Sequence, residues 1–427
     1  MFHRLKPKSE FSRNVLTLMT GATIAQAIPI AISPILTRIY TPEDFGLFAL
    51  YMSVASIISV VATGSYEHAI MLPVKDEDAI NIVALSMGIS FFVSFIALMI
   101  VFIFNRQLTI LLGNPEISFW LYFIPIIILL TGLYQSFNYW SNRKKQYKRL
   151  STNKIIQSTT QASTNLSMGL NGFGSAGLIL SAILGQGVAT FILGRLIFKE
   201  DRKIIKKIKR VKIIALAKKY IDFLKFSTFS SASNSLSYNL FSILLSRVFS
   251  ISILGFYSLI FRILTLPSTL IGSSISQVYF EESTRQKKLY GNNKNIFLAT
   301  MKKLFIISAL VYFPMYLYIK ELVVFVFGSD WRISGEIAYI LIPLMFIRFI
   351  SSIMNSTLTT YEKQKSALLI NLSLALMVIV LFLVTYINDF DIYTFFYMYM
   401  IVMSILYTLY LVYYYYLAKG EVFEKNA

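Results

Sequence analysis

The sequence predicts an all-α integral membrane protein of about twelve transmembrane helices, arranged as two parallel six-helix lobes around a central cavity. Three observations carry that prediction: an apolar composition, an alternation of basic and nearly uncharged loops, and a stretch that occurs twice. Of 427 residues, 56% are hydrophobic and only 14% charged, and mean hydropathy is +0.64. A water-soluble chain of this size needs more polar surface, so lipid is the expected solvent for most of it.

Apolar runs long enough to span a bilayer, about 20 residues each, fall at 14–37, 46–66, 79–104, 117–140, 151–171, 175–198, 224–247, 254–277, 298–319, 335–358, 366–387 and 393–417. The fifth (LSTNKIIQSTTQASTNLSMGL) and seventh (KFSTFSSASNSLSYNLFSILL) are too polar for a hydropathy window. Loop parity and the repeat place them. The N-terminus imitates a signal peptide with a cleavage site near Ala25-Gln26-Ala27, but IPIAISPIL continues as membrane sequence, so an uncleaved first helix is expected. The N-terminal tail and alternate loops hold 33 of the 40 Lys and Arg residues. By the positive-inside rule both termini are expected to be cytoplasmic. The net charge of +19 is thereby topological, and nucleic acid is not an expected partner. Tyr413 to Tyr416 fit an aromatic belt at the cytoplasmic interface.

The repeat is LTRIYTPEDFGLFAL, residues 36–50, which returns 209 residues later as LSRVFSISILGFYSL, residues 245–259. Leu36, Arg38, Gly46 and Leu50 recur unchanged as Leu245, Arg247, Gly255 and Leu259. Six passes bring the chain back to its starting side, so the copies enter the membrane in the same orientation. The expected division is an N-terminal lobe at 1–198, a basic, partly amphipathic linker at 199–223 lying on anionic headgroups, and a C-terminal lobe at 224–427.

Cysteine is absent and histidine is limited to His3 and His68. Disulfides, thiolate chemistry and Cys-based metal sites are excluded, and no catalytic residues, metal or cofactor are expected. Arginine is the more informative residue. Arg38, Arg247, Arg262 and Arg348 lie in or at the edge of the membrane, away from the cytoplasm. Counting ~1.5 Å per residue puts Arg262 about 12 Å and Arg348 about 20 Å deep in a core ~30 Å thick. The sequence places no intramembrane Asp or Glu to neutralise them, so an anionic ligand is the simplest counter-charge. A guanidinium fork suits phosphate or pyrophosphate and stays charged at any relevant pH. Arg38 and Arg247 have a second reading as interfacial anchors at helix ends.

In the seventh helix Ser227, Ser230, Asn234, Ser237 and Phe241 follow helical spacing on one face, read as a hydroxyl-lined wall for sugar, with helix–helix packing as the plainer alternative. Thr20, Thr23 and Ala27 of the first helix are read as packing. Glu67-His68 closes the second helix as a cap near basic loops, with proton or cation coupling at Glu67 as the functional alternative. Glycines at 177, 185, 187 and 194 permit close packing, and Pro29, Pro34, Pro267, Pro314 and Pro343 interrupt helices.

Several stretches then carry a family resemblance: RIYTPEDFGLFALY, YEHAIMLPVKDEDAINIVALS, YWSNRKKQYKRLSTNKIIQS with GLILSAILGQ, residues 220–280, and FGSDWRISGEIAYILIPLMFIRFISS. The chain resembles the polysaccharide transporter (O-antigen and capsule flippase) family of the multidrug/oligosaccharidyl-lipid/polysaccharide exporter superfamily. The resemblance implies a two-lobed, V-shaped transporter of the bacterial cytoplasmic membrane working by alternating access. Its implied substrate is an undecaprenyl-pyrophosphate-linked oligosaccharide. Membrane lipids and the polymerase and glycosyltransferases of the same pathway are the other implied partners. In the second copy Ile251, Ser252 and Ile253 replace Pro42, Glu43 and Asp44, so the acidic turn exists once. Two alternatives stay open: a multidrug or cation exporter on the same fold, and a membrane polysaccharide polymerase.

Overall fold

The computed structural model describes residues 10–420, and among them all regular structure is helical. The tail residues up to Lys8, His3 included, and Lys425 lie outside the described residues. In chain order the helices are α1 (Glu10–Leu36), α2 (Pro42–Ser59), α3 (Tyr66–Ala69), α4 (Asp76–Leu112), α5 (Ile117–Leu121), α6 (Ile124–Arg143), α7 (Tyr147–Leu170), α8 (Ser175–Glu200), α9 (Arg202–Ile205), α10 (Arg210–Lys219) and α11 (Thr228–Val248). There follow α12 (Ile251–Leu264), α13 (Ser273–Tyr290), α14 (Lys294–Phe327), α15 (Arg332–Met354), α16 (Ser356–Thr360), α17 (Gln364–Asn388) and α18 (Ile392–Lys419).

Each of the twelve expected segments is helical over most of its length. Nine spans among the described residues are long and apolar enough to cross a membrane. The segments at 46–66, 151–171 and 224–247 are not among them. The last two are too polar, for the reason visible in their sequence. The first is broken: α2 stops at Ser59, and the chain turns through residues 60–65 before α3. Gly64 and Ser65 both take left-handed backbone (φ 60° and 58°), which costs nothing at glycine and strains a serine.

The chain separates into two compact units, Met1–Arg247 and Val248–Ala427. In the first, α1 packs along α7, α7 along α8, and α6 against α4 and α8. Small residues set these distances. A Cβ added at Gly21 would lie 1.6 Å from Ser151 Oγ, and one at Gly194 would lie 3.0 Å from the Phe137 ring. One apolar cluster joins Tyr66, Ile80, Val83, Phe137, Trp140 and Leu193 to Leu216 of α10.

That last residue ties the linker segment to the first unit. Besides its expected basic surface, α10 is docked on the start of α4. The Tyr66 hydroxyl donates to the Ala217 carbonyl at 2.9 Å, and Asn81 accepts from the Lys209 amide at 2.8 Å. Lys212 Nζ meets Asp78 Oδ1 at 2.8 Å, a hydrogen bond that raises the lysine's pKa above its ordinary value.

In the second unit α15 is central, packing on α12, α14 and α18, with Leu341, Leu344, Met345, Phe349 and Ile353 buried. The expected eighth span is interrupted: α12 ends at Leu264, and a π-helical turn at Ser268–Gly272 follows. Pro267 has no N–H to offer the preceding turn, which accounts for the break.

Both repeat copies are helix–turn–helix corners. Leu36, Gly46 and Leu50 are buried, as are Leu245, Gly255 and Leu259. Thr41 and Ser250 are N-caps whose side chains accept from the amides of Asp44 and Ile253. Only the first corner is a full capping box, because Asp44 Oδ2 accepts in return from the Thr41 amide at 2.9 Å. The acidic turn present once in the sequence therefore has a structural role at Asp44.

Candidate functional site

Arg262 and Arg348 belong to the same unit. Arg348 projects from α15 so that its guanidinium carbon sits 5.1 Å from the Phe261 ring centroid, a cation–π contact. Tyr257, one turn earlier on α12, stacks on Phe261 at 5.1 Å and on Phe396 of α18 at 5.9 Å. Stacked rings of α12 and α18 thus lie under this half-buried cation. Arg262 follows Phe261 directly, in the last turn of α12 before the break, and its side chain is exposed. The carbonyls ending α12 favour a cation there, by about 0.3–1 kcal/mol. Among the described residues Arg262 has no carboxylate within ion-pair distance.

Arg38 and Arg247 sit at the ends of α1 and α11, and both are exposed. Arg247 lies on the C-terminal cap of α4. Gly113 there has φ 76°, and a Cβ on it would be 2.6 Å from Arg247 Cδ. A guanidinium against a helix C-terminus is the geometry of an anchor.

Ser230 and Asn234 of α11 are exposed and hydrogen-bond to no described side chain or backbone group. The other face of α11 packs within the first unit, through Thr228 to Ser65 Oγ (3.0 Å) and Ser235 to the Ser56 carbonyl (3.3 Å). The amides of α7 are used internally instead. Asn153 donates to the Ala189 carbonyl at 3.0 Å, Gln157 donates to Gln186 at 2.6 Å, and Asn165 accepts from Ser181. On its outer side α7 leaves Thr159 and Ser163 exposed one turn apart, a short hydroxyl row the sequence reading did not single out. Thr20, Thr23 and Ala27 are exposed too. They do not make the α1 contact as expected. Gly21 and the buried Ala25 lie between them on the packed face.

Glu67 is buried beside the strained turn. Thr63 donates to one of its oxygens, and the other lies 3.8 Å from His68 Nε2. His68 Nδ1 shares a hydrogen bond with the Tyr139 hydroxyl at 2.9 Å. The sequence reading found the Glu-His pair but not Tyr139, which lies 71 residues away. Among the described residues no group of three or more His, Asp or Glu could hold a metal ion.

Residues 35–336 match the family model for "Polysaccharide biosynthesis protein". No curated protein sequence matches. Solved structures do. An inward-facing multidrug resistance MATE family transporter of the MOP superfamily aligns over 94% of both chains at 13% identity, with a TM-score of 0.67. An outward-facing one covers 97% of this chain and 96% of its own at 12% identity (TM-score 0.63). A MOP superfamily transporter from Pyrococcus furiosus, described as having a binding pocket of reverse polarity, aligns equally well, with 12% identity, 97% and 96% coverage and a TM-score of 0.63. At these identities the likeness is one of fold, an all-helical fold shared with MOP superfamily transporters. The family match spans most of the length, and the chain belongs to the polysaccharide biosynthesis protein family.

Proposed function

We propose that this protein is a flippase, carrying an undecaprenyl-pyrophosphate-linked oligosaccharide across the bacterial cytoplasmic membrane by alternating access. The observation that carries the reading is the pair Arg262 and Arg348 on the Phe261 turn, in a transporter-fold chain of a polysaccharide biosynthesis family. A cation near the bilayer centre costs about 2.5–3.5 kcal/mol on insertion scales. A bound pyrophosphate offsets that cost, and guanidinium forks hold it bidentately. Arg262 and Arg348 neutralise the pyrophosphate, with Arg38 and Arg247 as secondary cations. Ser230 and Asn234 offer free hydroxyl and amide groups to sugar, and the polyprenyl tail stays in lipid. In this plan both termini are cytoplasmic.

Glu67 is the candidate for ion coupling, being a buried carboxylate in contact with His68 and Thr63. It also favours the second reading, export of lipophilic cations. In cells, Arg348→Ala should cut surface glycan severalfold at normal protein levels, and Arg348→Lys should restore part of it. Undiminished glycan in both variants rejects the role assigned to Arg348. Saturable efflux of a lipophilic cation by the purified protein, without movement of the lipid-linked sugar, selects the cation reading.

A further inference from the structure

A groove of about 620 Å³ opens on the second unit between α14, α15 and α18, and neither Arg262 nor Arg348 lines it. This volume lies in the range of small-molecule sites, ~300–1,000 Å³. Its lining is apolar apart from Lys302 and Thr408. The Thr408 hydroxyl is already committed to the Ser404 carbonyl at 2.8 Å. Phe305 and Phe346 meet edge to face at 5.2 Å and form one wall, and Ile350 and Leu411 are among the other apolar lining residues. Phe305 and Ile306 are exposed, so the groove is open along α14. Lys302 lies about 12 Å from the start of that helix, counting eight residues at ~1.5 Å each, and its ammonium can reach toward the polar interface. Arg285, Lys287, Lys288, Lys294 and Lys303 cluster at the same end of the unit.

We propose that this groove holds one acyl chain of an anionic phospholipid, with the lipid phosphate on Lys302. A hydrocarbon chain satisfies the apolar walls, which offer water no polar partner beyond Lys302 and Thr408 and forfeit dispersion contacts when empty. Lys302, the only charged group in the lining, selects an anionic headgroup over a zwitterionic one. The basic end of the unit is where anionic headgroups concentrate under the positive-inside orientation. The site contains none of the residues assigned to the transported substrate, so its occupant is a bilayer lipid.

The test is native mass spectrometry of the delipidated full-length protein. The probes are phosphatidylglycerol and phosphatidylcholine of matched chains, with undecaprenyl phosphate as a third arm. Wild type should retain phosphatidylglycerol at least threefold over phosphatidylcholine. Lys302→Gln should bring that ratio near unity, while Lys303→Gln, which alters an exposed neighbour outside the groove, should leave it unchanged. Thr408→Trp, which fills the groove, should lower retention of both phospholipids. Three outcomes overturn the proposal. They are equal retention of the two phospholipids by wild type, the same effect from Lys303→Gln as from Lys302→Gln, and displacement of phosphatidylglycerol by equimolar undecaprenyl phosphate in a Lys302-dependent manner.

Discussion

Helices α7 and α11 both carry dense rows of Ser, Thr and Asn, and they use these polar faces differently. On α7, Asn153, Gln157 and Asn165 bond across to α8, and Ser151 donates to the Thr17 carbonyl of α1 at 3.0 Å. On α11, Ser235 and Thr228 dock the helix while Asn234 and Ser230 remain exposed on another face. Polarity in a membrane helix thus has two uses, and composition alone does not separate them. Buried amides hold helices together, because an unpaired polar group in a dry interior is costly. Amides left open on one face suit a polar cargo.

The largest effect should come from the α1–α7 contact. Gly21→Val places atoms where Ser151 already stands, with even the Ser151 backbone only 2.9 Å from the new Cβ. Overpacking of this kind costs about 1–3 kcal/mol or more, and we expect loss of a monodisperse peak in size-exclusion chromatography. Ser151→Gly in the same chain should recover part of it. Next, Asn165→Ala removes an acceptor from the buried Ser181 and should destabilise by about 1 kcal/mol, read as a lower Tm in detergent.

The same truncation on α11 should behave differently. Asn234→Ala, alone or with Ser230→Ala, should leave Tm unchanged and slow transport severalfold. A drop in Tm matching that of Asn165→Ala would erase the distinction between the two helices. The smallest effect concerns the corners. Asp44→Ala breaks the capping box of α2 and should cost about 0.5–1 kcal/mol. Ile253→Ala, in the corner that lacks the reciprocal acid, should lose no cap bond, since Ser250 accepts from the backbone amide at that position.

Much of this was readable from residues. Apolar runs located the helices, and the paired corners at 36–50 and 245–259 fold alike because Leu, Gly and Thr or Ser recur at the buried and capping positions. Pro267 marked the break after α12. The break at residues 60–65 has no proline, and only the small-residue run Thr63-Gly64-Ser65 hinted at it. The surroundings of the arginines were not legible. Phe261 and Arg348 are 87 positions apart in sequence, and the cap of α4 under Arg247 comes from a helix far upstream. Such contacts arise from packing, which local spacing does not encode. The docking of α10 is of the same kind, since it depends on Asp78 and Asn81 presented by another helix.

Translocation in proteoliposomes tests the central claim most directly. Purified protein would be reconstituted with a fluorescent undecaprenyl-pyrophosphate oligosaccharide, and the fraction of sugar accessible to an external glycosidase followed with time. The account predicts protein-dependent movement by wild type, slowed at least tenfold by Arg348→Ala at equal reconstitution and restored in part by Arg348→Lys. Sugar that stays on its original leaflet with active, folded wild-type protein would contradict it.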